Sequence, residues 1–166
     1  SVSSPTIAKL AGEGVVVGVK DSSGDGESFA ELNALLANTN VDMYRFIGSI
    51  FRITNTGSIG AHGAIPSISN VIPAISVKGW EAGEDDDSVG IVEFQKNLIT
   101  ARKLAACAQN GSANSANLSS MKSALKFMGI IKSDAVTRPL RPLSDSEKNQ
   151  IPAILKSLRL LDMIQK

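Results

Sequence analysis

The chain has 166 residues, of which 43% are hydrophobic and 20% charged, and this composition predicts one folded domain rather than a disordered chain. Basic residues number 17 and acidic residues 16, so the net charge of +1 gives no electrostatic reason to expect a nucleic-acid or anionic-membrane partner. The single cysteine, Cys107, excludes an internal disulfide and predicts a reducing, cytoplasmic location, and no apolar run approaches the ~20 residues that span a bilayer.

Residues 1–83 are predicted to form one helix followed by three strand–helix units. Ser4 is the expected N-cap of the first helix, and Pro5 its first residue. The β-branched run 14–19 has no polar alternation, which is typical of a strand buried on both faces of a parallel sheet. After a polar turn, residues 28–31 (Ser-Phe-Ala-Glu) form a capping box that predicts the start of the second helix.

Two further strands are predicted at 43–47 and 64–68. A helix of about ten residues is expected after the first of them, and Asn70 is the expected cap of a helix that runs through Val77. Apolar strands that alternate with helices indicate a parallel sheet of the α/β class.

Residues 84–166 are predicted to be helical and to extend the same domain. Residues 88–109 have the apolar spacing of a long helix, and a second helix is expected to bury a face of Leu and Met side chains: Leu118, Met121, Leu125 and Met128. Residues 144–147 form another capping box, and Pro152 is expected to kink or split the final helix.

Lys20 is the residue whose position indicates chemistry. It ends the first apolar strand, and the carboxyl ends of the strands form the catalytic face of α/β barrels. We expect partial burial there to favour the neutral amine, which can attack a ketone and form an iminium, an electron sink for breaking or making a carbon–carbon bond. The alternative is a lysine that extends from the strand end into solvent.

Residues 18–25 (Gly-Val-Lys-Asp-Ser-Ser-Gly-Asp) resemble the Schiff-base lysine motif of the dihydrodipicolinate synthase and N-acetylneuraminate lyase superfamily. That motif is glycine, an aliphatic residue, lysine, an acidic residue, then small residues and glycine. Further segments resemble the next blocks of the family in the same order and at similar spacing; they are 48–49, 60–65, 70–71, 137–140 and 143–144. The resemblance extends over the whole chain.

The resemblance implies a (βα)8 TIM barrel with a C-terminal helical extension. The three strands of residues 1–83 would be strands six to eight, and 84–166 would be the extension. Since a barrel needs eight strands and the chain begins with Ser1, we expect it to be the C-terminal part of a longer protein. The missing N-terminal half would supply a proton-relay tyrosine and a carboxylate-binding loop. Tyr44 cannot replace that tyrosine, because it matches another position of the family. A homo-oligomer, tetramer or dimer, is also implied.

The same resemblance implies that Lys20 is the catalytic residue and that Gly48, Ser49 and Ile65 bind substrate. Gly48 and Ser49 follow the second predicted strand, where a glycine lets backbone approach a ligand closely; a simple strand-to-helix turn is the alternative. Ile65 matches a position whose backbone carbonyl faces the substrate, while its side chain is expected in the barrel core.

Other polar residues are predicted to have structural roles. Residues 21–26 superficially resemble an EF-hand loop, but Leu32 stands where the chelating glutamate belongs. The single histidine, His62, is expected to be structural, and Cys107 a small core residue. The acidic run 84–87 has no neighbouring His or Cys that would suggest a transition-metal site.

The sequence therefore predicts a carbon–carbon lyase that forms a lysine Schiff base with pyruvate or another 2-oxo acid, without metal or organic cofactor. Residues 20–23 (Lys-Asp-Ser-Ser) resemble the 4-hydroxy-2-oxoglutarate and 2-keto-3-deoxy sugar acid aldolases more than the lysine-biosynthetic synthases, which tend to have Glu after the lysine. Two alternatives stay open. One is dihydrodipicolinate synthase itself, which condenses pyruvate with aspartate semialdehyde. The other is a non-catalytic half-barrel.

Overall fold

The computed structural model of the protein describes residues 2–161. Its helices and strands, in chain order, are α1 Ser4–Gly12, β1 Gly18–Asp21, α2 Gly26–Thr39, β2 Tyr44–Ile47, β3 Gly63–Ala64, α3 Pro73–Glu84, α4 Ser88–Arg102, α5 Ala113–Phe127, α6 Asp145–Lys148 and α7 Ile151–Ser157. Short 3-10 helices cover Ile50–Asn55, Ser67–Asn70 and Ala105–Cys107. The predicted α/β class is confirmed.

The three strands form one parallel sheet in the order β1-β2-β3, as predicted. Lys20 of β1 lies opposite Phe46 of β2, and Phe46 lies opposite Gly63 of β3. Because all three strands run the same way, their carboxyl ends meet at one edge of the sheet. The predicted site residues lie at or just after the ends of these strands, at this edge.

The position predicted for the first strand was wrong. The strand begins at Gly18 rather than residue 14, and the side chains of Val15 and Val17 are 63% and 77% exposed. Only the Val17 carbonyl is joined to β2, by a 3.0 Å hydrogen bond from the amide of Tyr44. Since β1 is an edge strand of the described sheet, the valines before it have no second strand to pack beside.

The predicted cap of α1 is shifted by one residue. Ser3 is the N-cap, without a side-chain hydrogen bond, and Pro5 lies in the first turn. The hydroxyl of Ser4 instead donates to the carbonyl of Ser28 in α2, at 3.1 Å. Ser4 therefore links two neighbouring helices rather than capping its own.

The capping box predicted at 28–31 was also wrong, because α2 begins earlier, at Gly26, with Asp25 as its N-cap. One carboxylate oxygen of Asp25 accepts from the amide of Glu27 at 2.9 Å, and the other accepts from the Ser28 hydroxyl at 2.6 Å. These bonds, the Ser28 hydroxyl first, lower the pKa of Asp25.

The segment after β2 is less regular than predicted. A six-residue 3-10 helix and a turn replace the expected helix of about ten residues, and Gly60 ends the turn with φ of 75°. The third strand covers Gly63–Ala64 instead of 64–68. Asn70 closes a 3-10 helix, and the predicted helix through Val77 begins at Pro73.

The chain divides into two compact units, and the first contains residues 1–69 and 76–91. Its main core joins α1, α2 and the residue before β2 through four buried side chains: Ala11, Leu32, Leu36 and Met43. Phe29 is also buried in α2. Burial of the Phe and Leu positions follows the apolar face expected of an amphipathic helix.

The second unit contains residues 70–75 and 92–166. The apolar face of α4 is buried as predicted at Phe94, Leu98 and Ala101, although α4 ends at Arg102 rather than at residue 109. The buried face predicted for α5 was partly wrong, because Leu118 is 40% exposed. Serines occupy much of the buried face instead: Ser115, Ser119, Ser120 and Ser123.

The capping box of Ser144 and Glu147 is confirmed. The final helical region is split into α6 and α7, and Pro152 lies in the first turn of α7. Proline is compatible with that turn because it removes no intrahelical hydrogen bond there. The predicted split is therefore confirmed.

Glu147 is the centre of a buried charged network. Its carboxylate accepts two hydrogen bonds from the Arg141 guanidinium, at 2.6 and 2.8 Å. It also accepts one from the backbone amide of Gln109, at 2.8 Å, and one from the backbone amide of Ser144, at 2.7 Å. The bond with Arg141 and those amides hold the pKa of Glu147 well below its usual range. This network joins the proline-containing segment to α6.

Asp134 forms a second charged cluster in the same unit. Its oxygens pair with Lys148 at 2.7 Å and with Lys126 at 3.0 Å, and Ser123 donates a further hydrogen bond at 3.1 Å. The two lysines, Lys148 first, lower the pKa of Asp134 strongly. The cluster ties the loop after α5 to both α5 and α6.

Candidate functional site

Lys20 lies at the carboxyl end of β1, where it is followed only by Asp21, the last residue of the strand. Its side chain is exposed in the described structure. The partial burial predicted for this lysine is therefore absent among residues 2–161, because β1 is an edge strand with one neighbour.

Gly48 provides the space in which the Lys20 side chain lies. A Cβ atom added at Gly48 would lie 2.9 Å from Cε of Lys20 and 2.5 Å from Oγ of Ser22. Both distances are too short for ordinary van der Waals contact. The Gly48 amide also donates to the carbonyl of Asp21 at 2.6 Å, so backbone and side chains bring the ends of β1 and β2 together.

The other two predicted substrate-binding residues lie at neighbouring strand ends. Ser49 is half-buried and is the N-cap of the 3-10 helix Ile50–Asn55, but its hydroxyl makes no capping hydrogen bond. The Ile65 amide donates to the carbonyl of Ile47 at 2.8 Å, next to the end of β3. The Ile65 side chain is 50% exposed, so its predicted core position was wrong: it follows the other edge strand.

Ser22 and Arg52 were not predicted as site residues. Ser22 lies within the small residues of the lysine motif, and its closeness to Gly48 depends on how β1 and β2 are aligned. Arg52 lies in the 3-10 helix after β2, and its guanidinium donates to the carbonyl of Gly24 at 3.3 Å. An isolated arginine in a predicted helix gives no signal of this long-range contact.

A cavity of about 270 Å³ opens beside the ends of β1 and β2. Phe29, Ile47 and Ile59 form apolar parts of its wall, while Arg52 and Ser49 add polar groups. Ligand pockets commonly combine an apolar lining with a few polar groups. Of the predicted site residues, Ser49 lines this cavity, whereas Lys20, Gly48 and Ile65 are not part of its wall.

Aromatic rings cover the face of the sheet that carries Lys20. The alignment of β1 and β2 places Tyr44 and Phe46 on that face, with ring centres 6.5 Å apart. The edge of the His62 ring meets Tyr44 at 5.5 Å between centres, and the His62 Nδ1 atom accepts from the amide of Arg45 at 3.2 Å. His62 thus packs between the beginnings of β2 and β3.

The described part of the chain contains no group of three or more His, Cys, Asp or Glu side chains placed to hold a metal ion. Within the same residues, no helix is long and apolar enough to cross a membrane. Cys107 is buried, as predicted, and burial raises the pKa of its thiol.

Comparison with known proteins links this chain to a family. Residues 1–158 match the profile of the Dihydrodipicolinate synthetase family. The 4-hydroxy-tetrahydrodipicolinate synthase of Polynucleobacter asymbioticus is 31% identical over 94% of this chain and 48% of its own length. The corresponding enzyme of Trichlorobacter lovleyi is 29% identical over 94% of this chain and 50% of its own length.

Comparison with solved structures shows that the fold resembles half of known dihydrodipicolinate synthase structures. A solved dihydrodipicolinate synthase from Bacteroides thetaiotaomicron superposes with a TM-score of 0.81 at 25% identity, covering 95% of this chain and 51% of that structure. A Thermotoga maritima dihydrodipicolinate synthase superposes with a TM-score of 0.73 at 24% identity, covering 95% and 51%. The chain spans about half the length of the curated relatives it matches.

Proposed function

The chain belongs to the Dihydrodipicolinate synthetase family, and we propose that the whole protein is a carbon–carbon lyase in which the Lys20 amine forms a Schiff base with pyruvate or another 2-oxo acid. The observation that carries this proposal is the position of Lys20 Cε and Ser22 Oγ at the carboxyl edge of a parallel sheet. The two atoms lie 2.9 and 2.5 Å from the point that a Cβ of residue 48 would occupy. In barrels of this class, that edge is where reacting groups are found.

The chemistry follows from a neutral amine. The Lys20 nitrogen adds to the ketone carbon of the 2-oxo acid, and loss of water from the adduct leaves an iminium. In the cleavage direction, a base removes the proton of the 4-hydroxyl, the bond between carbons 3 and 4 breaks, and its electron pair moves into the iminium. An aldehyde leaves, the resulting enamine takes up a proton, and water hydrolyses the regenerated iminium to release pyruvate and Lys20.

The hydroxyl of Ser22 and the end of the Lys20 side chain both lie close to Gly48. The Ser22 hydroxyl can donate a hydrogen bond to a substrate oxygen or accept one from a substrate hydroxyl. Gly48 leaves the space between them free of a side chain. We propose that Gly48 and Ser49, together with the backbone carbonyl of Ile65, line the substrate site beside Lys20.

We propose that residues 1–83 form strands six to eight of a TIM barrel and that 84–166 form its helical extension. The exposed valines before β1 support this placement, since Val15 and Val17 present an apolar edge that a preceding barrel strand would cover. The other half of the barrel would surround Lys20, favour its neutral form by excluding water, and supply the remaining site residues. The division at residue 83 and a homo-oligomeric state stay predictions.

Two alternative substrates are each supported by a different observation. The Lys-Asp-Ser-Ser segment at 20–23 supports cleavage of a 4-hydroxy-2-oxo acid. The names of the curated relatives support the alternative, condensation of pyruvate with aspartate semialdehyde as in a dihydrodipicolinate synthase. We propose the first and keep the second as its rival; both require the same lysine. A non-catalytic half-barrel is the remaining alternative.

The test is reduction of the whole protein with borohydride in the presence of pyruvate, followed by peptide mass mapping. We expect the reduced adduct on the peptide that contains Lys20. Lys20→Arg should abolish the adduct and turnover although it keeps the charge, because a guanidinium is not a usable nucleophile. Lys78→Arg, at an exposed lysine of α3, is the matched control and should leave both unchanged.

Adduct on another lysine, or full turnover in Lys20→Ala, would contradict the aldolase proposal. A coupled assay of pyruvate release across 4-hydroxy-2-oxoglutarate, 2-keto-3-deoxy sugar acids and N-acetylneuraminate then tests the substrate. Activity only in the condensation of pyruvate with aspartate semialdehyde would make the rival assignment correct.

A further inference from the structure

We infer that Arg52 is a positioning residue that holds the loop after Lys20 in the place where Ser22 can meet the lysine side chain. The inference rests on the proposed function of Lys20 and adds a residue to it that neither the lysine motif nor the predicted site contains. Arg52 lies in the 3-10 helix Ile50–Asn55, four residues after Gly48.

The loop between β1 and α2 has its own internal structure. The amide of Ser23 donates to the carboxylate of Asp21 at 2.8 Å, and the amide of Asp25 donates to the hydroxyl of Ser23 at 3.0 Å. Such local bonds set the shape of a turn. They do not determine where the turn lies relative to the next strand.

Arg52 adds a side-chain contact to the backbone hydrogen bond between Gly48 and Asp21, which already joins the start of the loop to the residue after β2. The Nη2 atom of Arg52 donates to the carbonyl of Gly24 at 3.3 Å, and this side-chain hydrogen bond joins loop 22–25 to the segment after β2. Arg52 as a whole residue is half-buried and forms part of the cavity wall.

Gly26 leaves room for the Arg52 guanidinium because it has no side chain. A Cβ added at Gly26 would lie 2.9 Å from Nη2 of Arg52 and 3.2 Å from both Cζ and Nη1. Three guanidinium atoms at similar distances indicate that the group lies across the glycine rather than touching it with one corner. The φ angle of Gly26 is not in the left-handed region, so its need for a glycine is one of space and not of backbone conformation.

The charge of Arg52 also acts on the loop. It contributes to lowering the pKa of Asp25, after the larger effects of the Ser28 hydroxyl and the Glu27 amide. Arg52 forms no ion pair within 4.0 Å in the described structure. Its tie to the loop is therefore a hydrogen bond and a close packing contact, both of which depend on the position of the loop backbone.

The consequence for the site is geometric. Ser22 Oγ and Lys20 Cε converge on Gly48, and Gly24 follows Ser22 by two residues. Releasing Gly24 from Arg52 frees the loop to move away from Gly48 and takes the Ser22 hydroxyl with it. Since small displacements of reacting groups slow catalysis greatly, loss of Arg52 should slow the chemical step while leaving the fold intact.

Three variants test the inference in the whole protein. Arg52→Met keeps an unbranched side chain but removes its charge and donors, and Arg52→Lys restores the charge and an N–H donor group. Gly26→Ala keeps Arg52 and fills the space where its guanidinium lies. Alanine is a better helix former than glycine, so the alanine variant should not weaken α2, and any loss of function would come from the displaced arginine.

We expect Arg52→Met to speed hydrogen–deuterium exchange in the peptide covering 21–27 and to lower kcat about tenfold, with a smaller change in KM. Gly26→Ala should reproduce both effects, Arg52→Lys should recover part of the loss, and the double variant should be no worse than Arg52→Met alone. Lys78→Met, which removes an exposed positive charge from α3, is the control and should match the wild type.

Unchanged exchange in 21–27 in both Arg52→Met and Gly26→Ala would overturn the inference. Equal losses of kcat in Arg52→Met and Lys78→Met would also overturn it, because the effect would then be one of net charge. If wild-type protein forms no adduct at Lys20, the proposed function fails separately, and the exchange measurements still decide whether Arg52 holds the loop.

Discussion

Gly48 and Lys20 share one small space at the carboxyl edge of the sheet, since a Cβ at position 48 would lie 2.9 Å from the lysine Cε. We therefore expect Gly48→Ala to displace the Lys20 side chain and the nearby Ser22 hydroxyl. Borohydride-trapped adduct should form about tenfold to a hundredfold more slowly. Gly12→Ala is the control, because a Cβ there would meet only Val41, at 3.8 Å. Unchanged trapping in Gly48→Ala would show that the space is not needed.

The buried carboxylate of Glu147 should be a strong determinant of stability. Glu147→Gln leaves the Arg141 guanidinium without its charged partner and weakens the acceptors for two backbone amides. We expect a clearly lower Tm by circular dichroism. Glu93→Gln, at an exposed glutamate of α4, should leave Tm nearly unchanged, and similar Tm values for the two variants would contradict this role.

Asp134 should make stability depend on pH. Its pKa is lower in the folded state than in the unfolded state, so its pairing with Lys148 and Lys126 stabilises the fold above about pH 4 and is lost as the pH falls further. Asp134→Asn should therefore lower the urea midpoint at about pH 7 and flatten its decline toward about pH 3. Asp42→Asn, at an exposed residue, should keep the wild-type slope.

Substitution of two leucines by alanine should cause sharply different losses in the free energy of unfolding. Leu155 of α7 is completely buried, whereas Leu118 of α5 is 40% exposed. Leu155→Ala should lower the free energy of unfolding by about 2–5 kcal/mol, and Leu118→Ala by less than about 1 kcal/mol. Urea titrations that gave equal losses would place Leu118 in the core, as its helical spacing in the sequence had predicted.

The apolar edge before β1 should cause the 166-residue chain to associate when it is produced alone. Val15 and Val17 are largely exposed beside an edge strand, and exposed apolar edges pair with other chains. The double change Val15→Lys and Val17→Lys should increase the monomer fraction in size-exclusion chromatography. A wild-type chain that is monomeric and melts cooperatively would contradict this prediction.

The sequence predicted those features that depend on neighbours along the chain. The second strand was placed to within one residue, because a short, mostly apolar run is bounded by Asp42 on one side and by Gly48 and Ser49 on the other. The capping box at Ser144 was confirmed because both of its hydrogen bonds lie within four residues. At 28–31, an equally good pattern was overridden by Asp25, since one chain segment can contain two possible caps.

Features that depend on distant parts of the chain were missed. The resemblance placed Lys20 and Gly48 in one site, but the position of Ser22 beside Gly48 depends on the alignment of β1 with β2, which no local pattern specifies. The buried serines of α5 were missed because hydroxyl groups are expected at the surface. Ser115 and Ser119 are buried because they hydrogen-bond the backbone of Arg141, and their spacing of four residues was the one available signal.

The order of the sheet bears on how the chain is synthesised. Because β1, β2 and β3 are neighbours in space in the same order as in the sequence, each strand pairs with the one that left the ribosome just before it. Pairing between elements close in sequence requires the closure of only short loops, and such contacts form quickly. The sheet can therefore grow by one strand at a time, and Lys20 and Gly48 can meet before β3 has joined it.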